Sequence, residues 1–348
     1  MQKWCVDGHD GFHSMTAQAV NDQFYDALKS WHGNGRKGNP PKGRQKQWNK
    51  ICWKSYAIKL RNDGMLRLSC GRGNDPILID WPVDKEPVFV EIGWNRGYEV
   101  RATYKVKPEN RTTGNKIAGI DLGEKHIAAV STGEDCFLFN GGKLRGLRHH
   151  QNKTKARLQS KIDKKKRGSN RWKKLVRTKN KQLQKIDNQI DDLLHKLSRK
   201  LIEMLLERGV STVVIGELEE ITRSVSYGSQ MNQRLGQWAH GKFAQMLEYK
   251  AKGAGMDVEY ADEAYTSQTC PCCKHRHKPS GRNYSCPNCG FEAHRDAVGA
   301  ENIRRKYVGH EPTGSTARLP GAMASPSGVR FRPHLQCSSA PGDVRPTD

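Results

Sequence analysis

Two Cys-x-x-Cys pairs, Cys270-Pro-Cys-Cys273 and Cys286-Pro-Asn-Cys289, stand twelve residues apart and limit what the chain around them can become. Each pair offers two thiolates from one tight turn, and four thiolates at this spacing suit a single tetrahedral Zn2+ in a structural ribbon. Gly290 relieves the turn after the second pair. Half of the ten cysteines lie between Cys270 and Cys289 while the rest are scattered, which fits metal better than a disulfide framework. Within the first pair the two-residue spacing favours Cys270 and Cys273 over Cys272. His275, His277 and His294 are expected at the surface, although one of them could replace a thiolate. The ribbon is placed at 266–292, ahead of a helix that opens near His294-Arg295-Asp296.

Upstream, Lys116-Ile-Ala-Gly-Ile-Asp-Leu-Gly123 is an apolar run that ends on one carboxylate, Asp121. Ser211-Thr-Val-Val-Ile-Gly-Glu-Leu218 repeats the pattern and ends on Glu217. Both read as buried strands carrying an acid at their end. With Asp296 at a helix start they make three carboxylates suited to divalent metal. Magnesium takes oxygen ligands and keeps water, so three carboxylates suffice for two Mg2+ (or Mn2+) ions in phosphodiester hydrolysis. In that reading Asp121 bridges the ions and Glu217 and Asp296 each hold one. No nucleophilic Ser or Cys with a partner base is legible.

The charge names the substrate class. Sixty Lys and Arg against 36 Asp and Glu give a formal charge of +24 and a pI near 9.7, which favours nucleic acid. Between Lys143 and Lys200 roughly twenty cations face the acids Asp163, Asp187, Asp191 and Asp192. Lys164-Lys165-Lys166-Arg167, with Lys173 and Lys174, are the expected phosphate contacts. A mean hydropathy of -0.83 implies dependence on a polar partner. No run of about 18 apolar residues and no signal-peptide core is visible, so no membrane partner is expected and the protein is placed in the cytoplasm, with the nucleoid.

Along the chain, residues 1–43 hold one amphipathic helix, Met15 to Trp31, with Ala19, Val20, Phe24, Leu28 and Trp31 at helical spacing, and a basic linker from Gly33. Residues 44–112 read as short strands in a small antiparallel barrel or sandwich, one of them Ser55-Tyr-Ala-Ile-Lys59. Residues 113–306 give three strands, a long helical excursion over 146–209, a strand, a helix from Asn232 to Gly253 with Leu235 and Trp238, a strand at Met256 to Ala261, and a last helix. That order fits an α/β RNase H-like fold with the ribbon inserted. Residues 307–348 lack periodicity and are expected to be disordered.

The ordered set Gly119-Ile-Asp-Leu-Gly123, Ile215-Gly-Glu-Leu218, Tyr265-Thr-Ser-Gln-Thr-Cys270, Cys286-Pro-Asn-Cys-Gly290, His294-Arg-Asp296 and Ala300-Glu-Asn-Ile303 resembles the TnpB family of insertion-sequence nucleases, relatives of the type V CRISPR effectors. Trp238 and Tyr249-Lys250 also sit where that family has them, and the likeness covers about residues 45 to 306. The resemblance implies a RuvC-type nuclease domain with Asp121, Glu217 and Asp296 as its triad, a wedge-like β domain before it, and a guide RNA with a double-stranded DNA target. Val298 stands where the family usually has Asn. The family usually opens with a first wedge strand and a longer helical region, so an N-terminal truncation is expected. A non-cleaving RNA-guided regulator and a guide-independent resolvase or transposase are the alternatives, and monomer and dimer both stay open.

Overall fold

The apolar run that ends at Asp121 is the central strand of a five-stranded mixed sheet. The computed structural model of the protein describes residues 13–42, 50–94, 97–109, 111, 114–217 and 240–309. Contacts divide the chain into two units, Met1–Lys107 and Pro108–Asp348. The helix start expected at Asn232, with Leu235 and Trp238, and the tail expected from 310 onward lie outside the described residues.

In the first unit, helix α1 (Ser14–Gly33) is followed by strands β1 (Ile51–Lys54), β2 (Ile58–Leu60), β3 (Met65–Leu68), β4 (Ile77–Asp80), β5 (Phe89–Trp94) and β6 (Tyr98–Thr103). They form two antiparallel three-stranded sheets, ordered β1-β5-β6 and β2-β3-β4. Trp53, Ala57, Ile58, Leu66, Leu68 and Val90 make their shared core, and Trp53 Nε1 donates to Ser69 O at 2.9 Å. The strand expected over 55–59 is a 3-10 turn at Ser55–Ala57 running into β2, because the chain must leave one sheet for the other there. In α1, Thr16 and Ala19 are buried, Gln23 donates to Cys52 Sγ, and Val20 and Phe24 stay exposed. The apolar stripe is therefore offset from the face that packs.

The second unit holds β7 (Lys116–Asp121), β8 (His126–Ser131), β9 (Cys136–Asn140), helices α2 (Gly142–Asp163) and α3 (Asn170–Glu207), β10 (Val210–Glu217), α4 (His240–Gly253), β11 (Asp257–Asp262), the hairpin β12 (Asn283–Ser285) and β13 (Glu292–His294), and α5 (Arg295–Val308). The sheet order is β11-β10-β7-β8-β9, with β10 parallel to both β7 and β11, and β8 antiparallel to both of its neighbours. This is the arrangement an RNase H-like fold requires. Apolar residues of α3 at helical spacing, Ile186, Ile190, Leu194, Leu197, Leu201 and Leu205, bury against it, each contributing about 1.5–3 kcal/mol.

The expected single excursion is two helices. Gly168 takes a left-handed φ of 85°, and Ser169 caps α3 by accepting from Trp172 N at 3.2 Å. Lys164 to Arg167 thus form the exposed turn between α2 and α3, and Lys173 and Lys174 lie exposed in the first turn of α3. At 38 residues α3 is about 57 Å long. Lys250 ties α4 to it, donating to His195 O and Ser198 Oγ at 2.7 Å each.

Helix α5 lies directly on β7: a side chain at Gly119 would run into the backbone of Ala300 and Arg304. A buried carboxylate locks it there. Glu301, fully buried, accepts from Ser131 Oγ at 2.7 Å, from Arg304 Nε at 2.9 Å and from Arg305 Nε at 2.5 Å. Burial alone would raise its pKa, and these donors hold it below the usual carboxylate range. Glu301→Ala leaves two guanidinium groups without their partner and should cost about 3–5 kcal/mol, read as a lower unfolding midpoint in denaturant. An unchanged midpoint would contradict the locking role.

Candidate active site

Three neighbouring parallel strands each end on an acid. Strand β7 stops at Asp121, β10 at Glu217 and β11 at Asp262, with Glu217 and Asp262 in register and Ile215 paired with Ile120 one step before. The carboxyl ends of parallel strands are where open α/β sheets take ligands. Helix α5 brings Asp296 to the same edge, and a side chain at Gly299 would overlap Asp121 Oδ2, so glycine lets the helix close over that carboxylate.

Asp296 is held by several partners. His126 Nδ1 lies 2.8 Å from its Oδ2, and Arg282 Nη1 donates to Oδ1 and Oδ2 at 3.0 and 3.1 Å. Its own backbone N–H donates to His294 Nδ1 at 3.2 Å. Burial works to raise its pKa, but the bond to His126 and the nearby His294 and Arg282 pull it below the ordinary value. The positive end of α5 acts in the same direction. Asp121 has no such support: burial, and then the charge of Asp296, push its carboxyl up to about 7. Glu217 reaches solvent.

A fourth acid joins them. Glu263 follows β11, leans across Gly216 where any Cβ would overlap its carboxyl, and buries an Oε1 that has no hydrogen-bond partner. Burial, followed by the charges of Asp121 and Asp262, pushes it up to about 8. Glu263 lies one residue past the end of β11, and the acids Asp257, Glu259 and Asp262 within that strand leave no apolar run to mark it. Asp262 itself is occupied, accepting from Ala264 N at 2.8 Å and pairing with Lys306. An orphaned buried carboxylate oxygen beside two further acids fits a hard divalent cation.

The four cysteines converge as well. Cys270, Cys273, Cys286 and Cys289 place their sulfurs within 4.8 Å of one another, with Sγ pairs at 3.6 and 3.5 Å. A tetrahedron with Zn–S bonds of ~2.3 Å has edges of about 3.8 Å. The other such cluster among the described residues is His126, His294 and Asp296; the oxygens of Asp121, Glu217 and Asp296 do not come that close together. His294, expected at the surface, instead caps α5 and packs edge-on to His126 with ring centroids 4.9 Å apart. His126 was not legible because its partner lies 170 residues away in the chain. Val298 is fully buried and packs among Cys270, Tyr284, Cys286 and Phe291.

The description of one matching family is a probable transposase, OrfB_IS605, over residues 98–222, and that of another is the Cas12f1-like TNB domain, over residues 240–303. A TnpB-like protein of Methanocaldococcus jannaschii is 33% identical over 195 residues, covering 55% of this chain and 68% of that protein. The chain belongs to the TnpB family. Another relative, the CRISPR-associated endodeoxyribonuclease Cas12f1 of Sulfoacidibacillus thermotolerans, is 28% identical over 235 residues, which is 64% of this chain and 53% of that one. This TnpB chain therefore spans about half of that relative. A cryo-EM structure of a Cas12f1–sgRNA–target DNA complex matches with a TM-score of 0.57 at 13% identity, over 86% of this chain and 73% of that chain, so the TnpB chain has the RuvC-containing nuclease fold. Among the described residues no helix is long and apolar enough to cross a membrane.

The acids carry a pH signature. A carboxyl with a raised folded pKa keeps a proton the unfolded chain has released, so its stabilisation is lost as pH rises through the folded value. With Asp121 near 7 and Glu263 near 8, the loss starts at about pH 4, where the unfolded carboxyls titrate, and its last part falls between about pH 6.5 and 8. His294, pushed down to about 4 chiefly by burial, acts only at lower pH. Metal-free protein should lose about 2 kcal/mol across that window, and Mg2+ at pH 8 should restore it. Thermal melts at the two pH values, with and without Mg2+, test this; a flat metal-free profile would contradict it.

Proposed function

We propose that the chain is an RNA-guided, metal-dependent DNA endonuclease of a transposable element. The carrying observation is the row of acids along one sheet edge, with the buried Glu263 oxygen unpartnered. Two bound Mg2+ ions would activate a water and stabilise the attacking and leaving oxygens of a phosphodiester. Asp121, Glu217 and Asp296 would hold the ions, with the unpartnered Glu263 carboxyl beside them as a further oxygen ligand. His126 and the start of α5 keep Asp296 ionised and aimed. Cys270, Cys273, Cys286 and Cys289 would hold one Zn2+, making the β12–β13 hairpin a zinc ribbon.

Lys164, Lys165, Lys166, Arg167, Lys173 and Lys174 gather positive charge in and beside one exposed turn. Such a turn grips phosphate backbone and carries no sequence information, which suits a protein whose target is read by base pairing to a guide RNA. The test is to express the chain with its downstream genomic flank, sequence the RNA that co-purifies, and assay Mg2+-dependent cutting of a matching duplex. A discrete RNA with guided cutting supports the reading. RNA without cutting would make it a non-cleaving regulator, and cutting by RNA-free protein would make it a resolvase.

A further inference from the structure

The nuclease reading uses His126 only to aim Asp296 and leaves His294 only as the cap of α5. One ligand atom from each of His126, His294 and Asp296 lies within 4.8 Å of the other two. Two imidazoles and one carboxylate are a donor set for borderline transition metals, whereas magnesium takes oxygen. His126 is only 7% exposed, and its Nδ1 already faces Asp296 Oδ2 at 2.8 Å. Replacing the shared proton of that hydrogen bond by a metal with bonds of ~2.0 Å would widen the gap only slightly.

His294 would give up a weak bond, the 3.2 Å contact from the Asp296 N–H. Arg282 occupies the outer side of Asp296, acting there as the cation the carboxylate lacks. Its side chain is 46% exposed, so it can swing into water when a metal arrives.

We infer that His126, His294 and Asp296 form a second metal site, selective for zinc-class ions and sharing Asp296 with the acidic centre. A zinc ion bound there takes Asp296 away from the position in which it would serve magnesium. The pair of sites then works as a metal-identity switch: magnesium supports cleavage and zinc opposes it. The binding claim stands on the three side chains alone, and the inhibitory consequence rests on the nuclease reading.

The test titrates Zn2+ into full-length protein that carries its cysteine-bound zinc, with Mg2+ in excess, and counts bound zinc after gel filtration. Wild type should take up about one equivalent beyond the cysteine site. His126→Ala and His294→Asn should lose that equivalent while keeping the cysteine-bound one, which reports that each variant is folded; Asn also preserves the helix cap. Asp121→Asn should keep the extra equivalent, which separates this site from the rest of the acidic centre. Absence of extra zinc in wild type, its survival in both histidine variants, or its loss in Asp121→Asn would overturn the inference. Cleavage assays on the same samples should show zinc inhibition in wild type that is relieved in the histidine variants, where they cut. Absence of cleavage from every sample, zinc-free included, would remove the nuclease reading and leave the binding result as measured.

Discussion

Asp121→Asn is expected to lower Mg2+-dependent DNA cleavage by about 10³-fold or more while the bound RNA stays in place. A metal ion contributes several kcal/mol of transition-state stabilisation, and each 1.36 kcal/mol is about tenfold in rate, so losing a carboxylate proposed to hold the metal removes a comparable amount. The variant should still fold. Asn has the shape of Asp, and the site that Gly299 clears for Oδ2 accepts an amide equally well. It should even fold better: the native carboxyl is pushed up to about 7 by burial and by Asp296, so at pH 8 its negative charge is a cost that Asn does not carry. A more stable, RNA-bound, inactive variant would separate catalysis from folding in one substitution. Cleavage within tenfold of wild type would move the chemistry to another part of the molecule.

The second large effect is expected from the cysteines. Cys286→Ser should lose the zinc and with it nearly all cleavage, although every acid is retained. The β12–β13 hairpin has a small core, Tyr284, Phe291 and the cysteines, closed by Val298 from α5. Zinc binding in small ribbon-like peptides is worth ~10–16 kcal/mol, so such a core depends on the metal. The loss spreads through α5. Asn302 Nδ2 donates to Thr266 O and Thr269 O at 2.7 Å, Arg305 reaches Pro271 O, and Arg282 of the hairpin holds Asp296. When the hairpin loosens, the helix that aims Asp296 loses most of its outer supports. Zinc content and protease sensitivity across 266–294 should change together with cleavage, and zinc followed by magnesium should restore chelator-treated wild type. Full activity in Cys286→Ser without bound zinc would refute this coupling.

The parts of the molecule that were legible in the sequence are those in which local pattern and tertiary role coincide. Asp121 and Glu217 end apolar runs because central parallel strands are buried on both faces. The cysteine pairs are local by construction. Glu263 was hidden because it follows an edge strand with no fully buried residue, so no apolar run leads up to it. His126 acquires its meaning only through a partner from the far end of the fold. The break between α2 and α3 was readable in Gly168-Ser169, a glycine stop followed by a capping serine, but the run of charge around it masked the stop. Val298 replaces a polar residue of the family pattern, and its burial against the cysteine cluster gives the change a packing role.

The separation of His126 and Asp296 by 170 residues also has a consequence in time. A ribosome adding ~5–20 residues per second needs roughly ten to thirty seconds to travel from one to the other. Through that interval Asp121 and His126 have emerged, but the helix bearing Asp296 has not been made. The centre therefore cannot assemble before that helix has been made. On the nuclease reading, the order in which the residues are translated keeps the centre incomplete until that helix exists.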